Sequence, residues 1–328
     1  MKKNIKGSYN FIIGMVTLLI LFLLPFFAGQ YTITTFIRIF YFGFLALSMG
    51  FLIGQGGMVS LTQTAFFGIA GYVIGLFGYE RGWPFPLADI FAIFVVLIFE
   101  LIFGMIAVRT KKIVFLMITL AFGQVIWAFA LQNSTLLHGW AGIRGIKPYL
   151  IMGINFFETK NFYWASLILF LLGLFVLWKI VKSPFGLALN GTRESEKRMA
   201  ALGYSSYWIK LVAFLFAAIY AGLGGILATY NTGVITPTYL QMSRTINILL
   251  MVIIGGESFF LGPVVGTTIF VWLNVIISQI TERYLTVIGI IFVLTVLFTP
   301  SGVLGLLSKL KDRKFFKFIK RLLPGTKD

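Results

Sequence analysis

The 328-residue sequence contains no cysteine and a single histidine, His138. Without cysteine the chain can form neither a disulfide nor a thiolate metal site, and one histidine excludes a histidine-rich metal cluster. The sequence also lacks a G-x-x-x-x-G-K-[ST] phosphate-binding loop, an H-E-x-x-H zinc motif and a G-x-S-x-G nucleophile motif. These absences predict no metal, no cofactor and no enzymatic activity in this chain, so any nucleotide hydrolysis would take place on another subunit.

Charge is scarce as well, because 11% of the residues are charged against about 25% in an average soluble protein. Hydrophobic residues make up 59% of the chain, and its mean hydropathy is +0.96. Several apolar runs approach or exceed the roughly 20 residues that a helix needs to cross about 30 Å of hydrocarbon, whereas barrel strands need only about 10. We therefore expect an all-α polytopic integral membrane protein.

Charged residues, glycine and proline mark the ends of the apolar runs. They predict about ten transmembrane helices, or eight to ten if a glycine-rich segment only re-enters the membrane. The first run is long and a second follows at once, so we expect a retained helix and not a cleaved signal peptide. The eighth span is too short to cross unaided. The predicted spans are 11–28, 32–53, 61–79, 87–108, 113–132, 162–179, 211–230, 246–255, 262–280 and 285–300.

The formal net charge of +17 fits either nucleic-acid binding or membrane topology. The basic residues lie in short segments that flank apolar runs, where the positive-inside bias places them, so no nucleic-acid partner is expected. Ten crossings put the basic clusters at 2–6, 109–112, 179–210 and from 309 onward on one side of the membrane. The prediction is a multi-pass protein of the cytoplasmic membrane with both termini in the cytoplasm, and with residues 133–161 as the longest outer connection.

The C-terminal tail, 309–328, is basic and interrupted by apolar residues. Phe315, Phe316, Ile319 and Leu322 fall on one face of a helix, which is typical of an amphipathic helix lying on anionic lipid headgroups. A disordered basic tail is the alternative interpretation.

Two glycine-rich stretches, 50–72 and 252–270, resemble each other. Each has a Gly-Gly pair, a short polar patch and small residues that open another apolar run, as in transporters with internally repeated halves and interrupted helices. Chance and close helix packing through small residues are the alternatives. The polar residues proposed to line a translocation path, for which interhelical hydrogen bonding is the competing role, are Thr62, Gln63, Thr64, Gln124, Asn247 and Glu257.

One acid, Glu100, is clearly within a predicted span, and Arg38 is within another. Because a charge inside the membrane needs a partner, the two residues are candidates for an intramembrane ion pair. A single buried acid gives little support for a carrier driven by protons or sodium ions, which would need carboxylates as relays or ion ligands.

A charged segment, 183–210, separates two of the apolar runs. Thr192 can cap the start of a helix and Gly203 suits the left-handed position that follows a helix end, so the pattern predicts one short helix over 193–202. This helix is too short and too charged to enter the membrane. It is either a solvated connector or a stiff contact for a partner.

The stretch "GLALNGTRESEKRMAALGYSSYWIKLVAFLFAAIYAGLGGILATY" resembles the coupling loop and following helix of permease subunits of ABC importers for branched-chain amino acids. The stretches "GMVSLTQTAFFGIAGY", "GWAGIRGI" and "IIGGESFFLGPVVG" resemble three further motifs of that family, in the same order. The resemblance runs from about residue 35 to 307 and is greatest to the second of the two paired permeases. The loop residues that match are Gly186, Ala188, Leu189, Arg193, Glu194, Glu196, Leu202, Gly203, Lys210 and Leu211.

The resemblance implies a transmembrane permease domain over 1–308, with 183–210 as the cytoplasmic coupling loop and 133–161 as the extracytoplasmic loop. It also implies a second homologous permease, two cytoplasmic ABC ATPase subunits and an extracytoplasmic substrate-binding protein as partners. The residues that it assigns to ATPase coupling are Arg193, Glu194, Glu196, Lys197, Met199, Leu202 and Gly203.

The substrate is less well defined. Permeases for urea or short amides share much of the pattern, so leucine, isoleucine and valine are the first expectation and a small amide is the second. An ATPase-independent channel or secondary carrier is a third alternative, from a different class of protein.

Overall fold

The computed structural model describes residues 15, 18–148, 150–151, 154–298 and 302–306. The described chain is almost entirely helical. Its helices are α1 (Leu18–Phe27), α2 (Gln30–Gly56), α3 (Gln63–Val73, continued by π-helical turns over Ile74–Glu80), α4 (Leu87–Ala107), α5 (Lys112–Gln132), α6 (Ser134–Leu137), α7 (Thr159–Lys182), α8 (Pro184–Glu194), α9 (Glu196–Ala201), α10 (Ser206–Thr232), α11 (Met242–Gly255), α12 (Gly262–Ile280) and α13 (Tyr284–Phe298).

Four two-residue strands lie in the connections. The first, β1 (Ile143–Arg144), pairs antiparallel with β4 (Val234–Ile235) and so joins the connection after α6 to the end of α10. The second pair, β2 (Leu150–Ile151) and β3 (Ile154–Asn155), is also antiparallel.

The membrane-spanning character predicted from composition is confirmed. Among the described residues, six helices are long and apolar enough to cross a membrane, namely α2, α4, α5, α7, α10 and α12. The predicted count of ten is not confirmed, because α11 has 14 residues and α13 has 15. The amphipathic tail predicted at 309–328 lies outside the described residues, as do residues 11–14, 16 and 17 of the first predicted span and 299–300 of the last.

Helix α2 occupies the centre of the molecule. Most of its 27 residues are buried, because it is apolar all round and can satisfy every face only by packing against other helices. It runs antiparallel to α10: a Cβ placed on Gly224 would contact the Tyr41 carbonyl, while Tyr220, one turn earlier in α10, packs its ring against Phe44. Small residues of α10 let the two backbones approach closely.

The two long central helices, α2 and α10, are followed by similar structures. Each has 27 residues and ends at a left-handed glycine, Gly57 with φ 62° or Gly233 with φ 67°. Glycine adopts this conformation at little cost, which is why it commonly ends helices. After a short non-α-helical segment each chain starts a new helix, α3 at Gln63 and α11 at Met242. We call α3 and α11 the half-helices.

Both glycine-rich stretches of the sequence contain a helix interruption, at 57–62 and at 256–261. At the second interruption the backbones of α11 and α12 touch. A Cβ on Gly255 would overlap the Gly262 carbonyl, and one on Gly266 would overlap the Met251 carbonyl. The small residues in this stretch therefore serve close packing between helices, which was one of the alternatives for their spacing.

The connections lie at two opposite ends of the bundle. At one end the α4–α5 connection meets the charged loop, since Lys111 pairs with Glu196 at 3.0 Å. At the other end His138 approaches Glu80 at 2.8 Å, and β1 pairs with β4 just beyond α10. The charged loop at 183–210 and the connection that contains His138 are thus separated by the length of α10.

Candidate functional sites: the coupling loop and the half-helices

The charged loop forms two helices where the sequence pattern predicted one. Helix α8 begins at Pro184, and the hydroxyl of Ser183 caps it by accepting from the Gly186 amide at 3.3 Å. Ser195 is extended, with φ −162°, and its hydroxyl caps α9 by accepting from the Arg198 amide at 3.3 Å. The single helix predicted over 193–202 is therefore wrong, because a serine in an extended conformation starts a new helix inside it.

The predicted caps of that helix have different outcomes. Thr192 lies inside α8 and donates its hydroxyl to the Ala188 carbonyl at 2.9 Å, so it does not cap a helix. Gly203 has φ +86°, which confirms the left-handed residue predicted after the helix end.

Arg193 connects the loop to the end of α2. Its Nη1 donates a hydrogen bond to the Gly54 carbonyl, one of the last carbonyls of α2, which have no partner within the helix. Its aliphatic stem packs beside Gly57, where a Cβ would lie 2.7 Å from the Arg193 Cγ. The first helix interruption and the charged loop are thereby held together.

Glu196 makes a second connection. Its carboxylate accepts from the Lys210 Nζ at 2.5 Å and pairs with the Lys111 Nζ at 3.0 Å. Burial by itself raises the pKa of Glu196, but the hydrogen bonds and positive charges of Lys210 and Lys111 outweigh it and hold that pKa below its usual value. One acid thus ties α9 to the start of α10 and to the α4–α5 connection.

We expect Glu196→Gln to lower the free energy of unfolding at pH 7 by about 1–2 kcal/mol, because Lys210, whose side chain is 11% exposed, loses its partner. Since the pKa of Glu196 is lowered, the contribution is present at neutral pH and is lost as the pH falls through that pKa. Thermal unfolding of both proteins across the acid range measures this. The matched variant Glu194→Gln should cost about 0.5 kcal/mol or less, because its pair with Arg198 is exposed. An equal effect of the two substitutions would contradict the role of Glu196.

The residues predicted to contact an ATPase divide into two groups. Arg193 and Glu196 use their charged groups to contact the transmembrane part of the protein, although Arg193 is exposed and Glu196 is half-buried, and Met199 is buried against Gly191. The outer surface of α8, α9 and the following turn, which we call the loop surface, is exposed and partly apolar. It presents Leu187, Asn190, Glu194, Lys197, Arg198, Ala201, Leu202, Gly203 and Tyr204.

The N-terminal ends of the two half-helices meet inside the protein. The hydroxyls of Thr64, in the first turn of α3, and Thr245, in the first turn of α11, lie 2.5 Å apart. Gln63 accepts from Ser48 of α2 at 2.6 Å. Ser48 is eight residues, or about 12 Å, from the end of α2, so this meeting point lies well inside the helical bundle.

Hydrogen bonding between helices is thus the observed role of Gln63 and Thr64, whereas Thr62 bonds within the interruption that precedes α3. Thr62 bonds Ser60 at 2.9 Å, and Thr62, Gln63 and Thr64 are at most 2% exposed. Buried hydroxyl and amide groups are costly unless they are paired, so these contacts fix the positions of the half-helices.

The other predicted path residues lie elsewhere. Gln124 and Asn247 are partly exposed, and Asn247 is on the half-helix α11. Glu257 is exposed and lies at the interruption between α11 and α12, close to the end of α2. Together with Gln55 and Pro263 it lines a small cavity of about 20 Å³ on the same side as Arg193.

The ion pair predicted between Arg38 and Glu100 is not present. Both carboxylate oxygens of Glu100 are buried without a hydrogen-bond partner, and the ion pairs among the described residues do not include Arg38. Glu100 faces α10 from α4, one turn from Gly104, which packs near Leu211. Arg38 is exposed and lies beside Tyr41. The residue types indicated that Arg38 and Glu100 each need a partner. They contained no information on which faces of α2 and α4 meet other helices.

Comparison with known proteins identifies the family. The model of the family described as "Branched-chain amino acid transport system / permease component" matches residues 31–296, which is most of the chain. The chain belongs to this permease family. The match covers α2 to α13, and so includes both half-helices and the charged loop.

Relatives of this permease have been named in bacteria and archaea. The chain is 25% identical over 287 residues to the high-affinity branched-chain amino acid transport system permease protein LivM of Escherichia coli, covering 79% of this chain and 67% of the relative. It is 22% identical over 176 residues to a probable branched-chain amino acid transport permease protein LivM of Methanocaldococcus jannaschii, covering 53% and 50%. No solved structure matches the chain.

Members of the family are transport components and not themselves enzymes. In the described part of this permease no group of three or more histidine, cysteine, aspartate or glutamate side chains could hold a metal ion. Sequence reasoning missed Lys111, Ser48 and Thr245, which complete the contacts of Glu196, Gln63 and Thr64. The signal that could have found Lys111 is that Glu196 is an acid in a basic loop and needs a cationic partner. Nothing in the sequence relates Thr64 to Thr245, which is 181 positions away.

Proposed function

We propose that this permease is one of two paired membrane subunits of an ATP-driven importer of leucine, isoleucine and valine. Two cytoplasmic ABC ATPases provide the energy, and an extracytoplasmic binding protein delivers the amino acid. The single observation that carries the proposal is the construction of the charged loop. It is fastened to the transmembrane helices on its inner side and carries an exposed, partly apolar surface on its outer side.

A loop that transmits motion must be attached to the transmembrane helices that it moves. Arg193 attaches it to the interruption after α2, and Glu196 attaches it to the start of α10. Helices α2 and α10 are the ones that lead into the half-helices. A push on the loop surface would thus reach the two helices that position Thr64 and Thr245, which is a route for a rigid-body switch between two arrangements.

The loop surface suits a protein partner. Leu187, in α8, is 69% exposed, and Leu202, in the turn after α9, is 71% exposed. Clustered exposed apolar side chains with charged neighbours, here Glu194 and Lys197, are typical of a binding surface.

Orientation follows from the basic residues. Arg109, Lys111, Lys179, Lys182 and Lys210 are in or beside the connections at the end of the loop surface, so the positive-inside bias makes this end cytoplasmic and with it both termini. The opposite end, with His138 and the exposed Trp140, then faces the binding protein.

Leu202→Glu tests the docking surface. We expect it to abolish co-purification of the ATPase subunits. The variant loses the roughly 2 kcal/mol that burial of the leucine side chain contributes to the contact, and the new carboxylate must also be desolvated. The folded protein should be unaffected, since Leu202 is exposed in this chain. The measurement is the amount of ATPase that co-purifies with affinity-tagged permease, together with ATP-dependent leucine uptake into proteoliposomes.

Trp140→Glu is the matched control, because Trp140 is 63% exposed at the opposite end of the bundle. It should leave ATPase association intact. If Leu202→Glu retains both the ATPases and uptake, the loop surface is not the docking site. If leucine uptake by the unaltered protein proceeds without ATPases, the importer assignment is wrong and a channel or secondary carrier replaces it.

A further inference from the structure

Two arginines lie close together where the half-helix α11 meets α2. Arg38 is on α2 and its guanidinium lies beside the Tyr41 hydroxyl. Arg244 is in the first turn of α11 and stacks on two rings, 5.1 Å from the centroid of Tyr239 and 5.6 Å from that of Phe42. The rings of Tyr41 and Phe42 lie 4.6 Å apart and so connect the two arginines, and these four residues and Tyr239 form one group, the arginine cluster.

The cluster carries two positive charges and no negative one. Ion pairs within the described part of the chain are formed by Lys111, His138, Arg198 and Lys210, and so neither arginine faces a carboxylate there. Aromatic faces stabilise a guanidinium in part, but they do not neutralise it or accept its five N–H groups in good geometry. Charged side chains at membrane depth are costly and mark ion or substrate pathways.

The cluster is at membrane depth. Arg38 is the ninth residue of α2, about 12 Å along the helix axis from Gln30. Arg244 is next to Thr245, whose hydroxyl touches that of Thr64 at the meeting point of the half-helices. The arginine cluster therefore lies beside the N-terminal ends of both half-helices. Transporters with interrupted helices bind their substrates at such a position.

The cluster is also open to the surface. Beyond the first two residues of α2, Arg38 is the only exposed residue of that helix, all of which the structure describes. The exposed residues next to Arg244 include Met242 and Ser243, in the first turn of α11. Backbone ends and charges at membrane depth occur only where they are buried in protein or line a water-filled cavity. This face is therefore covered by another protein subunit or borders a water-filled path.

We propose that Arg38 and Arg244 bind the carboxylate of the amino acid as it crosses the membrane. The proposal rests on the proposed function and assigns residues to one step of it. Guanidinium groups match a carboxylate in geometry as well as in charge. The free amides in the first turn of α11 also favour a negative group beside Arg244. Tyr41, which is buried, holds Arg38, whereas the half-buried ring of Tyr239 lies against Arg244 and presents an aromatic face to the aliphatic part of the substrate. A neutral amide such as urea would leave both charges uncompensated, so the cluster favours an amino acid.

The experiment compares Arg38→Gln and Arg244→Gln with Arg38→Lys and Arg244→Lys in the complete importer, reconstituted with its partner subunits. The matched control is Arg283→Gln, an exposed arginine in the α12–α13 connection. Radiolabelled leucine uptake is measured in vesicles of phosphatidylcholine alone and in vesicles that also contain phosphatidylglycerol. Subunit composition is checked by size-exclusion chromatography.

We expect each glutamine variant to lower leucine uptake by about tenfold or more, because a charge-assisted hydrogen bond to the substrate is lost. Each lysine variant should recover part of the rate because the charge is kept. All subunits should remain associated, the loss should be equal in both vesicle types, and Arg283→Gln should transport normally.

Three results would overturn the proposal while leaving the importer assignment intact. Uptake equal to that of the control shows that the cluster does not meet the substrate. Loss of the second permease on chromatography shows that the arginines pair with an acid of that subunit. A loss confined to vesicles with phosphatidylglycerol shows that they bind lipid phosphate. If instead the unaltered complex takes up urea and no amino acid, the proposed function fails and the carboxylate site fails with it.

Discussion

Replacing Arg193 by methionine is expected to lower ATP-driven uptake by about 10- to 100-fold while the ATPase subunits stay bound. Although Arg193 is exposed, its guanidinium donates to the Gly54 carbonyl at the end of α2. Methionine retains most of the aliphatic stem and removes the donor, so a charge-assisted hydrogen bond of about 1.5–3 kcal/mol is lost and a helix-end carbonyl is left without its partner. The loop would then move without α2 following it.

The measurement is the number of leucine molecules transported per ATP hydrolysed in proteoliposomes, together with the amount of ATPase that co-purifies. Arg198→Met is the control, because Arg198 is 72% exposed and its pair with Glu194 at 3.6 Å is a surface pair. The control should transport nearly normally. Loss of ATPase binding in Arg193→Met would show that Arg193 contacts the ATPase directly, as the sequence motif by itself suggested.

Gly266→Ala is expected to prevent accumulation of folded protein. A Cβ on Gly266 would overlap the Met251 carbonyl and lie 2.7 Å from the Gly255 amide nitrogen, and both neighbours are backbone atoms that cannot turn away. Overpacking of a tightly packed interface costs about 1–3 kcal/mol and more where backbone must shift, so we expect a loss of about 3 kcal/mol or more.

Gly289→Ala, in α13, is the control, because a Cβ there meets nothing within 4 Å. It should be neutral or slightly stabilising, since alanine has the higher helix propensity. Monodisperse yield and thermal unfolding followed by tryptophan fluorescence measure both variants. Normal yield of Gly266→Ala would show that α11 and α12 are not packed as closely as the structure has them.

Much of the organisation was predictable from sequence because it depends on local chemistry. Apolar runs predicted the membrane helices, and the left-handed conformation of Gly203 followed from its position after a helix end. The two helix interruptions were predicted from glycine pairs. The charged segment forms two helices and not the single helix that Thr192 predicted, because Ser195 starts a new helix inside it.

Pairing between distant segments was not predictable. Arg38 and Glu100 each needed a partner, and pairing them with each other was wrong because α4 turns Glu100 toward α10 while Arg38 faces outward beside Tyr41. An all-apolar helix has no polar face to show its orientation, so periodicity cannot indicate which residues of two such helices meet.

The sequence by itself determined the membrane environment, the left-handed residue Gly203 and the family of this protein, since hydropathy, capping residues and motifs are properties of short segments. Only the tertiary structure decided which side chains of the loop contact the transmembrane helices, that Thr64 meets Thr245, and that Arg38 and Arg244 belong to one group with the aromatic rings between them. These contacts join residues far apart in the chain, and their geometry is set by how α2, α10 and the half-helices pack.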